Sequence, residues 1–139
     1  MIGVFGIGAV AGALAVSNVE IPSVSLVSSM LIVEGVGMLI FGFSEGPVLG
    51  LAGLGIAGFG WLGAVMLATT ATHVLVADQH RGRVMALWGI AFMGVRPISS
   101  LTSGLLASTG GPQLAALLFA LPAVLGGVYL AVGRSKVSL

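Results

Sequence analysis

The chain has no cysteine, and five basic and four acidic side chains are all the charge it carries in 139 residues. Without thiols it can form no disulfide, no thiolate zinc site and no cysteine nucleophile. Two histidines and four carboxylates leave little material for a metal centre or a catalytic triad, so no metal, no cofactor and no enzymatic chemistry are expected. The net charge of +1 comes without the basic cluster that grips phosphates, so nucleic acid is not an expected partner. Charged residues make up 6%, whereas a soluble domain carries roughly 25%. So few charges cannot cover a water-facing surface. What fills the chain instead is 58% hydrophobic residues and 23 glycines, with a mean hydropathy of +1.19. Lipid is the solvent this composition fits, and an integral membrane protein is the expectation.

A helix needs about 20 apolar residues to cross a hydrocarbon core roughly 30 Å thick. Five spans follow within a single transmembrane domain, at about 1–16, 24–43, 48–76, 84–108 and 114–132. The first is short. It ends in Ala13-Leu14-Ala15, like a signal-peptide cleavage site, but no basic region precedes it. Gly6-Ile7-Gly8-Ala9-Val10-Ala11-Gly12 superficially matches a nucleotide-binding glycine loop, but it follows no strand and sits in an apolar run. Polar turns are expected at Ser17–Ser23, Ser44–Pro47 and Thr109–Gln113, the last holding Gly110-Gly111-Pro112. Glycines at 50, 53, 55, 58, 60 and 63 would let neighbouring helices approach closely, which is how helices associate once burial from water no longer drives them.

Charges gather only at Ala77–Val84, where Asp78, Arg81 and Arg83 read as a water-facing loop. Arg134 and Lys136 follow two spans later, on the same side by count, while the Ser44–Pro47 and Thr109–Gln113 turns have no Lys or Arg. By the positive-inside tendency the charged loop and the C-terminus are cytoplasmic. Five spans then put Met1 outside with no polar segment before it, as in a chain cut from something longer.

From Arg81 to Pro97 the sequence reads ArgGlyArgValMetAlaLeuTrpGlyIleAlaPheMetGlyValArgPro. This stretch resembles the major facilitator superfamily, in the branch related to the enterobactin exporter. Asp78, Arg81, Gly82, Arg83, Val84, Gly94 and Pro97 match the family's charged loop and following helix in order and spacing, and Gly104 fits the small-residue position beyond. Ala77 stands where the family has proline and His73 where it has glutamine. The Ser17–Ser23 turn lacks the family's basic motif. The resemblance is specific over 70–111 and implies an all-α bundle, helices eight to twelve of a twelve-helix transporter, hence part of the C-terminal half of the fold. It implies a multi-pass protein of the bacterial inner membrane and proton-coupled export of a small molecule such as a drug or siderophore. Its partners would be membrane lipid, substrate, protons and the N-terminal helices of the same transporter. The alternative is a small structural or accessory membrane protein with no transport of its own.

Several residues carry both a functional and a bland reading. Asp78, Arg81, Gly82 and Arg83 are topology anchors or, by the resemblance, a cytoplasmic gating loop. Glu34 lies near the middle of its span, where a carboxylate costs about 3 kcal/mol and so faces a cavity, a partner or a proton path. Arg96 is as deep and stays charged, which makes it a candidate on the substrate or proton path, a partner for Glu34, or a snorkelling arginine. Pro97, with Gly94 nearby, kinks that helix by removing a backbone donor. His73 joins the path candidates because imidazole exchanges protons near neutral pH. It sits in a polar patch with Thr69, Thr70 and Thr72, whose hydroxyls are expected to bond their own helix four residues back. Trp61 and Trp88 read as packing or interface residues rather than stacking platforms.

Overall fold

The computed structural model describes residues 2–76 and 78–133, without the side chains of 75, 78, 79, 81, 91, 92, 95, 96, 98–100, 103, 106–112 and 115. The described residues form helices α1 (Ile2–Val16), α2 (Val24–Phe43), α3 (Pro47–Leu75) and α4 (Asp78–Gly133), with no strand among them. Helices this rich in glycine survive because lipid offers the backbone no other hydrogen-bond partner, so each amide bonds within its own helix. Three helical stretches are long and apolar enough to cross a membrane: Val24–Phe43, Pro47–Val74 and Ala116–Gly133. By length and composition the chain is therefore an all-α, multi-pass membrane protein. Helix α1, with 15 residues, is about 22 Å long at 1.5 Å per residue and falls short of a full crossing.

The ends of the first helices are set by local chemistry. Ser23 caps α2 by accepting the Leu26 amide on its hydroxyl at 3.3 Å. Gly46 occupies the cap position of α3, and Pro47 follows at the first helical position, where its missing N–H costs nothing. Replacing Ser23 with alanine should destabilise the start of α2 by about 1 kcal/mol. Thermal melts followed by circular dichroism in micelles would read this, with Ser25→Ala as the control.

Packing puts α2 and α3 at the centre. Helix α3 contacts both α1 and α2, and α2 contacts α4 on its other side. Glycines make these contacts close. Gly8 and Gly12 of α1 lie against the backbone carbonyls of Gly55 and Phe59, and Gly58 lies against the carbonyl of Phe5. Across α2 and α3, Gly37 faces the backbone of Gly53 and Ala57, while Gly60 faces that of Met30 and Glu34. Across α2 and α4, Gly35 meets Ala120 and Val124, Gly42 meets Ala116, and Gly127 meets Ser28 and Ile32. These pairings run α1 and α3 parallel to each other and α2 antiparallel to α3 and to the C-terminal part of α4. The side chains on the outside, among them Ile2, Ile7, Val48, Leu87, Ile90 and Tyr129, are large, apolar and exposed, as a lipid-facing surface requires.

Helix α4 departs from the sequence reading in two ways. The charged stretch is not a loop: Val76 caps the end of α3 and helical backbone resumes at Asp78. Nor is there a non-helical turn at Thr109–Gln113, because helical residues run without interruption through these positions to Gly133. Along one axis the 56 residues would measure about 84 Å, nearly three times the hydrocarbon thickness. They do not follow one axis. Trp88 and Phe119 line the same depression, although a straight helix would hold them about 46 Å apart. From Gln113, beside Gly42, the chain runs back along α2. The path therefore reverses between Trp88 and Gln113, the interval that holds Gly110, Gly111 and Pro112. Pro112 has no amide to give the preceding turn, and sharp bends in helices form at such positions.

Candidate functional site

The reversal of α4 brings residues from both of its arms to one depression of about 460 Å³, whose other walls come from α2 and α3. Helix α2 contributes Val27, Leu31 and Glu34, one face of which is set by the tight Gly60 contact to the backbone of Met30 and Glu34. From α3 come Trp61, Ala64, Val65 and Ala68, which share a helical face at spacings of three and four. Trp88 enters from the first arm of α4, and Phe119, Pro122 and Ala123 from the second. Phe5 of α1 supports Trp61 from behind, with ring centroids 5.8 Å apart and planes tilted by 44°.

Among the described residues, Glu34 is the only charged one in this lining. It is half-buried, and no hydrogen bond or ion pair from a described residue reaches its carboxylate. A partly desolvated carboxylate in apolar surroundings is costly unless it meets a cation or a proton.

The other candidates are dispersed. Gly82 and Arg83 are exposed on the first turns of α4, while the side chains of Asp78 and Arg81 lie outside those described. The Arg96 side chain also lies outside them, so the Glu34–Arg96 pairing has no geometry to report, and Arg134 and Lys136 follow the last described residue. Gly94 and Pro97 are exposed, and a Cβ at Gly94 would meet nothing within 4 Å. His73 is exposed in the last turn of α3 and makes an interaction of its own. The neighbouring threonines behave as expected. Thr69, Thr70 and Thr72 donate to the carbonyls of Val65, Met66 and Ala68 at 2.8, 2.9 and 2.9 Å. Their hydroxyls are thus engaged within α3. Among the described residues no group of three or more metal-ligating side chains converges.

Sequence reasoning singled out Glu34 but not the two tryptophans beside it. Residues 34, 61 and 88 are far apart in the chain, and only the close α2–α3 packing and the reversal of α4 bring them together. The one available signal was composition: the chain has only two tryptophans, and Trp61 lies mid-span, away from either expected interface. Comparison of the chain with protein-family models, with curated proteins and with solved structures gives no match.

The ends of the bundle are also arranged. Gln113 lines a small depression with Ser44, Glu45 and Pro47, so the α2–α3 connection and the start of the returning arm share one end. Gly127 packs on Ser28, and Gly63 on Met30. The C-terminal end of α3, the start of α4 and Gly133 therefore gather at the other end.

Proposed function

We propose that the chain is part of a secondary active transporter of the major facilitator type, exporting a small molecule across a bacterial inner membrane in exchange for protons. The observation that carries this reading is the ArgGlyArgVal stretch at 81–84 with Asp78 before it and Gly94 and Pro97 after it, which resembles the family's charged loop and the helix that follows. A multi-pass bundle of apolar helices with a half-buried carboxylate in a depression is compatible with it. In this reading Asp78, Arg81 and Arg83 latch the cytoplasmic face, and release of that latch accompanies the rocking of two helical halves around a midplane site. The missing half is supplied by further helices of the same transporter. Arg96, beside the Pro97 kink, contacts substrate or the coupling proton. The bundle exposes its charged stretch and its C-terminal end on the cytoplasmic side.

The test is efflux of a panel of fluorescent dyes from cells producing the chain, alone and joined to the helices encoded upstream. Transport by the joined form, reduced at least tenfold by Arg96→Ala at equal abundance in the membrane, is expected. No efflux from either form, together with co-purification of a stoichiometric membrane partner, would replace this reading with that of an accessory subunit.

A further inference from the structure

We infer that the depression between α2, α3 and α4 binds a small lipophilic organic cation, with the Glu34 carboxylate as its counter-charge and the indoles of Trp61 and Trp88 as its walls. Three observations combine. First, the volume of about 460 Å³ lies within the roughly 300–1,000 Å³ typical of small-molecule sites. Second, among the described residues the lining is apolar except for a single carboxylate, which none of them pairs. Such a site attracts an apolar body carrying one positive charge and disfavours an anion of the same shape. Third, both tryptophans and Phe119 border it, and Trp88 and Phe119 are each 38% exposed, so ring surface is left to be covered. A cation against an indole face gains about 0.5–1 kcal/mol at exposed sites and about 2 when desolvated. Lysine-like ammonium groups are too strongly hydrated to profit from this setting. A cation whose charge is shielded by hydrocarbon loses little water on entering it.

The binding site is a property of the described helices. It rests on the transport reading only in making the bound cation the cargo, and the two can fail separately.

The experiment uses the full chain in nanodiscs of zwitterionic lipid. The probes are tetraphenylphosphonium and tetraphenylborate, which share shape and hydrophobicity and differ in the sign of charge. The chain's only tryptophans line the site, so intrinsic fluorescence reports on occupancy, and empty nanodiscs correct for partitioning into lipid. Tetraphenylphosphonium is expected to quench the emission saturably and to bind at least tenfold more tightly than tetraphenylborate. Glu34→Gln is expected to abolish that preference, Glu34→Asp to keep it, and Trp88→Phe to weaken the cation without changing the order of the two probes. Equal affinity of the two probes for the unmodified chain would overturn the proposal, and that comparison needs no variant to fold. So would an unchanged preference in Glu34→Gln. Charge-selective binding without dye efflux would count against the transport reading alone, and efflux without charge-selective binding against this site alone.

Discussion

Gly60→Leu is expected to lower the unfolding free energy of the chain by about 3 kcal/mol or more, the upper end of what overpacking costs. A Cβ at Gly60 would run into the backbone of α2, at the Glu34 amide and Cα and the Met30 carbonyl. None of these is the tip of a flexible side chain that can swing aside. The helices must part, and parting forfeits the dispersion contacts along the seam, which are the main attraction between helices in lipid. Gly37→Leu should behave alike, since its Cβ would meet the backbone of Ala57 and Gly53. The control is the same substitution at Gly6, where nothing lies within 4 Å of the added carbon. There the change should stay within about 0.5 kcal/mol or favour the helix, because leucine has the better propensity. Reversible unfolding in mixed micelles reads both. Equal losses at Gly6 and Gly60 would show that the seam is not where α2 and α3 meet. Separation of α2 from α3 would also carry Glu34 away from Trp61, so Gly60→Leu should lose the selective binding of tetraphenylphosphonium.

The second large effect is all-or-none. Because the chain has no cysteine, a single introduced thiol reports the side of the membrane on which it lies. Glu45 and Gln113 border one depression at one end of the bundle. Asn18 and His80, both exposed, lie in the α1–α2 connection and on the first turn of α4. In intact cells an impermeant maleimide should label Glu45→Cys and Gln113→Cys and leave Asn18→Cys and His80→Cys untouched until the membrane is opened. Labelling of Glu45→Cys and Gln113→Cys from opposite sides would contradict the reversal of α4 between Trp88 and Gln113. Labelling of both only after opening would leave the fold intact and invert the orientation inferred from Arg81 and Arg83. Arg81→Gln with Arg83→Gln should raise the fraction of molecules labelled at His80→Cys, since those charges bias the topology.

The membrane class and three helices were legible because lipid imposes simple demands. Apolar length must match a fixed thickness, and the chain can only answer with helix. The α2 limits at Val24 and Phe43 coincide with the span read from the sequence, since Ser23 and Ser44 punctuate it chemically. The glycines of α3 likewise announced close packing, and Gly53, Gly58 and Gly60 do abut backbone. What could not be read was which helix each one faces. Neighbours in sequence are usually neighbours in space, yet α1 packs on α3, because both carry a matching row of small residues. Asp78–Arg83 reads as a loop because charge suggests irregular backbone, although a helix extending beyond the lipid carries charge as readily. Thr109–Gln113 reads as a turn because glycine and proline weaken a helix; the reversal of α4 falls in the interval that holds it, but the backbone stays helical throughout. Glu34 was legible as costly, but its setting was not, since Trp61 and Trp88 meet it only through the tertiary fold.

The row of carbonyls and glycines between α1 and α3 also constrains motion. Gly8 seats on Gly55 and Gly12 on Phe59, a step of four residues on each helix, so the two helices mesh like racks with teeth about 6 Å apart. A slide of less than one tooth brings Cβ-bearing residues against these carbonyl oxygens, and a full tooth brings Gly8 to Phe59 but puts Val4 where Gly8 now covers the Gly55 carbonyl. The pair therefore tilts as one piece or jumps a whole notch. Any smooth displacement within the bundle has to be taken up beyond this pair, where α4 packs on α2.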